Sequence, residues 1–169
     1  MKKGIKKIAK YIDLHGSIII NLKNWKLQHP QEVYFDSKFE YDCYVIAHRY
    51  FGSALDFSPE SIDLFDGFNT ITSIKHGEFK RAAVRKCSYT PDFIITCPNQ
   101  FRVFIDSKGY FFPESKLRYK IFQNLKIKDQ KNAISIIIKS LEEMHSLCRL
   151  IKQQYFSTPI VNITNYEKI

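Results

Sequence analysis

The chain has 169 residues, 44% of them hydrophobic and 25% charged, with a formal net charge of +9. That length suits one domain with a real core, and the composition excludes a disordered chain or a membrane-embedded one. The positive charge makes a polyanion the expected partner, because every phosphate neutralised by Lys or Arg releases counterions. Nucleic acid leads and an anionic membrane surface comes second. Aromatic residues are 15% of the chain, and filling a core is their commoner use over stacking on bases.

The N-terminal stretch gathers Lys2, Lys3, Lys6, Lys7 and Lys10. Lysines interrupt its apolar positions too often for a secretory signal, and the chain contains no apolar run of the ~20 residues a spanning helix needs. A soluble, intracellular, cytoplasmic protein is expected. Residues 1–33 are expected to form a basic N-terminal extension or peripheral element, with Ser17–Leu22 as a strand or the start of a buried element. From Asp36, apolar residues recur at helical spacing (Phe39, Cys43, Ile46, Tyr50), with Asp36 or Ser37 as the cap and Gly52 as the stop. Glu40 falls beside the buried stripe.

Residues 53–78 read as loop with one short strand near Thr70–Ile74. Then Phe79–Cys87, Asp92–Thr96 and Arg102–Ser107 read as successive strands, the last two joined by a turn at Cys97–Gln100, with Pro91 at the head of its strand. Ser115–Asn124 suits a short helix. Ala133–Lys139 is β-branched and argues a buried strand, and Ser140–Glu143 fits a capping box opening a helix with Leu141, Met144, Leu147, Cys148, Ile151 and Tyr155 inward. The order predicts an α/β fold in which helices flank a mixed central sheet, within a single domain spanning 1–169. Cys43, Cys87, Cys97 and Cys148 show no metal-ligand spacing and read as free thiols.

Chemistry concentrates between Tyr89 and Gly109. Asp92 and Asp106 fall on neighbouring strands, and Lys108, two residues after Asp106, shares its face. Two carboxylates and an ammonium at one point suit Mg²⁺, with Mn²⁺ as a substitute, and a phosphodiester. Lys108 would orient or deprotonate water or neutralise transition-state charge; Ser107, its side chain turned away, would lend a backbone carbonyl to the metal. As a plain alternative, Asp106 and Lys108 form a salt bridge and Asp92 follows a turn proline. Carboxylates set in the apolar runs Phe93–Ile95 and Val103–Ile105 are costly to bury without a purpose, which favours the site. Basic residues flank it: Arg81, Arg85 and Lys86 before, and Lys116, Arg118 and Lys120 after, as phosphate contacts that position DNA without reading sequence.

Pro91-Asp92 followed by Asp106-Ser107-Lys108 resembles the core of the PD-(D/E)xK nuclease superfamily. Tyr89–Phe93, Phe104–Gly109 and Ser115–Lys120 are similar to phage endonuclease-I-type Holliday-junction resolvases and related small phage endonucleases, and Phe35–Glu40 to the helical segment that opens them. The resemblance implies a restriction-endonuclease-like core and a metal-dependent DNA endonuclease acting on branched DNA in phage-type DNA metabolism. It also implies that Glu40 completes the acidic metal site. Two nicks on opposed strands need two sites, so a homodimer is expected of that class. Asp106 stands where glutamate is commoner, and the turn between Asp92 and Asp106 is longer than in the compact resolvases. The competing reading is a non-catalytic nucleic-acid-binding protein that keeps a nuclease-like fold.

Overall fold

A computed structural model describes residues 11–109 and 112–157. The lysine cluster at 2–10 lies outside those residues. The chain begins with β1 (Tyr11–Asp13) and β2 (Ile18–Ile19), an antiparallel pair turned by Gly16 at φ +86, and a short α1 (Leu22–Gln28). β3 (Tyr34–Phe35) returns to pair with β1. Ile12 of β1 and Phe35 of β3, 2% and 1% exposed, enter the main core.

The predicted helix forms as α2 (Lys38–Phe51). Ser37 caps it by accepting from the Glu40 N–H at 3.1 Å, and Gly52, at φ +52, ends it. Cys43, Ile46, Ala47 and Phe51 are its buried stripe. β4 (Leu55–Asp56) follows, then β5 (Ile62–Phe65), β6 (Phe68–Lys75), β7 (Glu78–Val84) and β8 (Cys87–Tyr89). The expected loop over 53–78 is thus mostly strand. β6 and β7 form a long hairpin closed by His76 (φ +52) and Gly77 (φ +77), the two positive-φ positions that a two-residue turn with the right twist requires. Within one strand's sequence Gly77 only interrupts the pattern; with a partner strand on either side, it is the turn itself.

β9 (Phe93–Thr96) and β10 (Arg102–Ser107) form a second hairpin, as predicted. After β10 the chain crosses through α3 (Pro113–Phe122), continued by a π-helical turn at Gln123–Ile127, to β11 (Ala133–Ile138), which lies parallel to β10. α4 (Leu141–Ile151) closes the described fold; Ser140 accepts from the Glu143 N–H, and the Glu143 carboxylate accepts from the Lys139 N–H. Among the described residues the architecture is mixed α/β, with four α-helices and several small sheets. Its central sheet runs β11-β10-β9-β4, and β5–β8, β6–β7 and β2-β1-β3 form separate smaller sheets.

Side-chain alternation on the central strands divides the core in two. Phe93, Ile95, Val103 and Ile105 face one side and pack with Cys43, Ala47, Met144 and Cys148 of α2 and α4. Ile94 and Phe104 face the other and pack with Tyr119 and Phe122 of α3 and with Leu64 and Tyr89 of the β5–β8 pair. β11 is an edge strand and only Ala133 and Ile138 are buried, so its β-branched run is covered less fully than predicted.

No helix among the described residues is long and apolar enough to cross a membrane.

Candidate active site

The site lies where β9 begins and β10 ends. The Asp92 N–H donates to the Ile105 carbonyl at 2.9 Å, although Phe93 is the residue that faces Ile105 in the ladder. Two residues therefore oppose one, as in a β-bulge, and the strand start bends. That bend swings the Asp92 carboxylate onto the end of β10, where its Oδ2 accepts from the Ser107 N–H at 2.7 Å and from the Ser107 hydroxyl at 2.8 Å. The expectation that Ser107 turns its side chain away is corrected here. Its hydroxyl does fall on the face opposite to Asp106 and Lys108 by alternation, and the bulge brings Asp92 around to meet it.

Asp106 is 2% exposed. Its Oδ2 accepts from the Tyr89 hydroxyl at 2.7 Å. Its Oδ1 meets Lys108 Nζ at 2.7 Å as an ion pair, without a hydrogen bond of ordinary angle. The same ammonium lies 3.2 Å from both carboxylate oxygens of Asp92. Lys108 thus bridges the two acids at the end of the sheet. Its own backbone is fixed, since its N–H donates to the Ile138 carbonyl at 2.9 Å and extends the β10–β11 ladder by one bond.

Two cavities open on either side of this triad. The larger, about 560 Å³, is lined by Asp36, Glu40, Pro91, Asp92 and Lys108 among others, so α2 delivers Glu40 beside Asp92. The Glu40 carboxylate accepts from the Asp36 N–H at 3.1 Å, which folds it back over the start of its helix. Burial, then the nearby Asp92 and Asp36, push its carboxyl up to about 8. The smaller cavity, about 250 Å³, is lined by Ser88, Tyr89, Asp106, Lys108, Ser115 and Arg118. The structure therefore gathers Glu40, Asp92 and Lys108 on one side and Asp106, Lys108 and Arg118 on the other, with the lysine common to both.

Charge balance follows from these contacts. Burial pushes the Asp92 carboxyl up, opposed by the Lys108 ammonium and reinforced by Asp106. Burial acts to lower the Lys108 pKa, but the two carboxylates outweigh it and hold the group above its ordinary value. Burial and then the Asp106 charge raise the Tyr89 hydroxyl far above the ordinary phenol range, so it stays a proton donor to Asp106. Sequence reasoning assigns no role to Tyr89. A hydroxyl at the end of a short strand three residues before Asp92 is its only signal, and the strand pairing that aims it is tertiary.

The basic residues divide. Arg118 lines the smaller cavity, while Lys116 and Lys120 are exposed on the same helix, α3, away from it. Arg81 and Arg85 are exposed along and just after β7, and Lys86 is held by Asp63 at 2.6 Å. A divalent ion fits this donor set in kind, since carboxylate oxygens are hard ligands. Among the described residues, however, no three His, Cys, Asp or Glu side chains are gathered as a metal cluster. Between Asp92 and Asp106 the cation position is taken by Lys108 itself. No family model, curated protein or solved structure matches the chain.

Proposed function

We propose that this chain is a metal-dependent DNA endonuclease of the PD-(D/E)xK type with a restriction-endonuclease-like core, directed by DNA structure and acting on branched DNA in phage-type DNA metabolism. The observation that carries the reading is the convergence at one sheet end: Asp92 and Asp106 on antiparallel neighbours, Lys108 bonded to both, and Glu40 from the preceding helix lining the same cavity as Asp92. The sheet order β11-β10-β9-β4, with one antiparallel and one parallel neighbour for β10, supports it further. So does the net charge of +9.

In this reading Asp92 and Asp106 would hold Mg²⁺ or Mn²⁺, with Glu40 and the Ser107 carbonyl as further oxygen ligands. When bound, the ion would supply charge stabilisation at the phosphoryl oxygens and help activate the attacking water. The rest falls to the chain's own groups. Ser107 fixes the Asp92 carboxylate through two hydrogen bonds, and Tyr89 fixes Asp106 through one. Lys108, which sits between the two carboxylates, would present its ammonium to the phosphate or the attacking water. Arg118 supplies a second cation on the Asp106 side. Arg81, Arg85, Lys86, Lys116 and Lys120 extend the backbone contacts, Lys86 after releasing Asp63.

The test is cleavage of supercoiled, linear and four-way-junction DNA with Mg²⁺ or Mn²⁺. Asp106→Asn is expected to abolish nicking, by at least about a thousandfold, while keeping or tightening DNA binding, because it removes a negative charge facing phosphate. Intact DNA in every incubation with a folded protein overturns the enzyme. One specific observation favours a second reading, a non-catalytic DNA-binding module: the Asp92 and Asp106 carboxylates already share a cation, the Lys108 ammonium, without a metal. Under that reading Asp106→Ala leaves DNA affinity unchanged, and calorimetry with Mn²⁺ shows no binding.

A further inference from the structure

The β6–β7 hairpin carries no buried residue along its length. Strands in solvent ordinarily carry polar side chains on both faces, but Ile71, Ile74 and Phe79 are 53%, 69% and 69% exposed. Cross-strand partners share a face, so the register puts Ile74 with Phe79, Ile71 with Arg81, and Asn69 with Ala83 on one side of the ribbon. The apolar pair sits next to the His76-Gly77 turn. Behind it Asn69, Ile71 and Arg81 line a shallow depression where the register shifts at Thr72. The opposite face carries Lys75, Glu78 and Lys80, the last two paired at 3.0 Å.

Charge identifies the partner. From Phe68 to Lys86 the chain has five Lys and Arg residues and one acid, Glu78. Lys75, Arg81 and Arg85 have no acidic partner among the described residues. A second copy docked on this face would bring two such basic ribbons together, whereas a phosphate backbone complements them. At ~3.3 Å per residue the strands project the tip roughly 25 Å from the hairpin's base. That base joins β8, which ends at Tyr89 beside Asp106, so the arm springs from the margin of the site. Gly67 permits the tight crossing there, since a Cβ on it would lie 3.0 Å from the Val84 carbonyl oxygen.

We infer that the hairpin is a β-ribbon arm that enters a groove of the bound DNA one arm's length from the cleavage site, wedging Ile74 and Phe79 into an unstacked base step while Arg81 and Asn69 contact the groove behind them. Apolar wedges with Arg and Asn beside them are how groove-binding proteins kink a duplex, and unstacking costs least where the helix is already interrupted. The arm therefore selects branched, bulged or mismatched DNA over continuous duplex. This selection rests on the nuclease reading for its purpose, but its test does not.

The full chain is titrated, with Ca²⁺ or without metal, onto a four-way junction and a linear duplex of the same sequence, each carrying 2-aminopurine at the central step. Wild type is expected to prefer the junction and to raise its 2-aminopurine fluorescence. Ile74→Ser with Phe79→Ser is expected to lose the fluorescence change and about tenfold of the preference, and Arg81→Ala to weaken both DNAs. These residues support no core, so unchanged circular dichroism verifies the fold. Preference and fluorescence unchanged in the double variant overturn the arm, as does a shift from dimer to monomer with DNA binding intact, which would assign the face to a second copy. If wild type cleaves nothing yet shows the fluorescence change, the nuclease reading fails and the arm stands.

Discussion

Two antiparallel hairpins of this chain, β9–β10 and β6–β7, have opposite fates. In β9–β10 nearly every residue is buried; in β6–β7 none is. The difference begins in side-chain pattern. Phe93-Ile94-Ile95 and Val103-Phe104-Ile105 are apolar on both faces and can be satisfied only between two layers, which α2, α4 and α3 provide. Phe68–Val84 mixes Thr, Ser, Lys and Arg with isolated large apolar residues, too few on either face to recruit a layer. A ribbon with one core-less apolar tip is left in water, where its cations are available to a partner.

The largest effect that would sharpen this contrast is in packing. Phe93→Ala is expected to cost about 3–5 kcal/mol in urea unfolding, since Phe93 is fully buried, while Phe79→Ala shifts stability by less than about 0.5 kcal/mol. Equal costs would mean that the arm packs on the body and the comparison is false. Charge gives the next. Lys108→Met strips the cation from two carboxylates in the end of the buried hairpin and is expected to destabilise by about 2–4 kcal/mol at pH 8. With the ammonium gone, burial holds the Asp92 carboxyl protonated more strongly in the folded than in the unfolded state, so the deficit shrinks as the pH falls. Lys80→Met breaks the exposed Lys80–Glu78 pair in the arm and is expected to cost less than about 0.5 kcal/mol at either pH.

The third effect has the opposite sign. Glu40 titrates near 8 when folded and near 4 when unfolded, so between those values the folded chain holds a proton that the unfolded chain has released. Its contribution to stability therefore falls as the pH rises from about 4 to 8. Glu40→Gln removes that loss and is expected to gain about 1–2 kcal/mol over wild type at pH 9 and almost nothing at pH 4, measured as paired thermal melts. A gain that does not grow with pH would place Glu40 in water, away from Asp92.

Much of the site was legible because its chemistry is local. Pro91-Asp92 and Asp106-x-Lys108 lie on strands whose apolar runs announce them, and alternation alone puts Asp106 and Lys108 together. The Ser37 cap and the Gly52 stop set the helix that carries Glu40, so its nearness to the buried face was readable too. What failed was what depends on a partner. The bulge that turns Asp92 toward the Ser107 hydroxyl is invisible in either strand alone, as is the Tyr89 hydroxyl bond to Asp106. The 53–78 region misled because a glycine reads equally as an interruption or as a turn until the second strand is seen.

The sequence by itself determined both ends of α2 and the start of α4, the two apolar strands of the centre, the acids and lysine beside them, and the positive charge, since caps, alternation and composition act over a few residues. Only the tertiary structure decided that Lys108 is the link between two cavities and that Phe68–Val84 stands out as an arm. Both follow from which surfaces find a covering layer, and that is fixed by contacts between residues far apart in the chain.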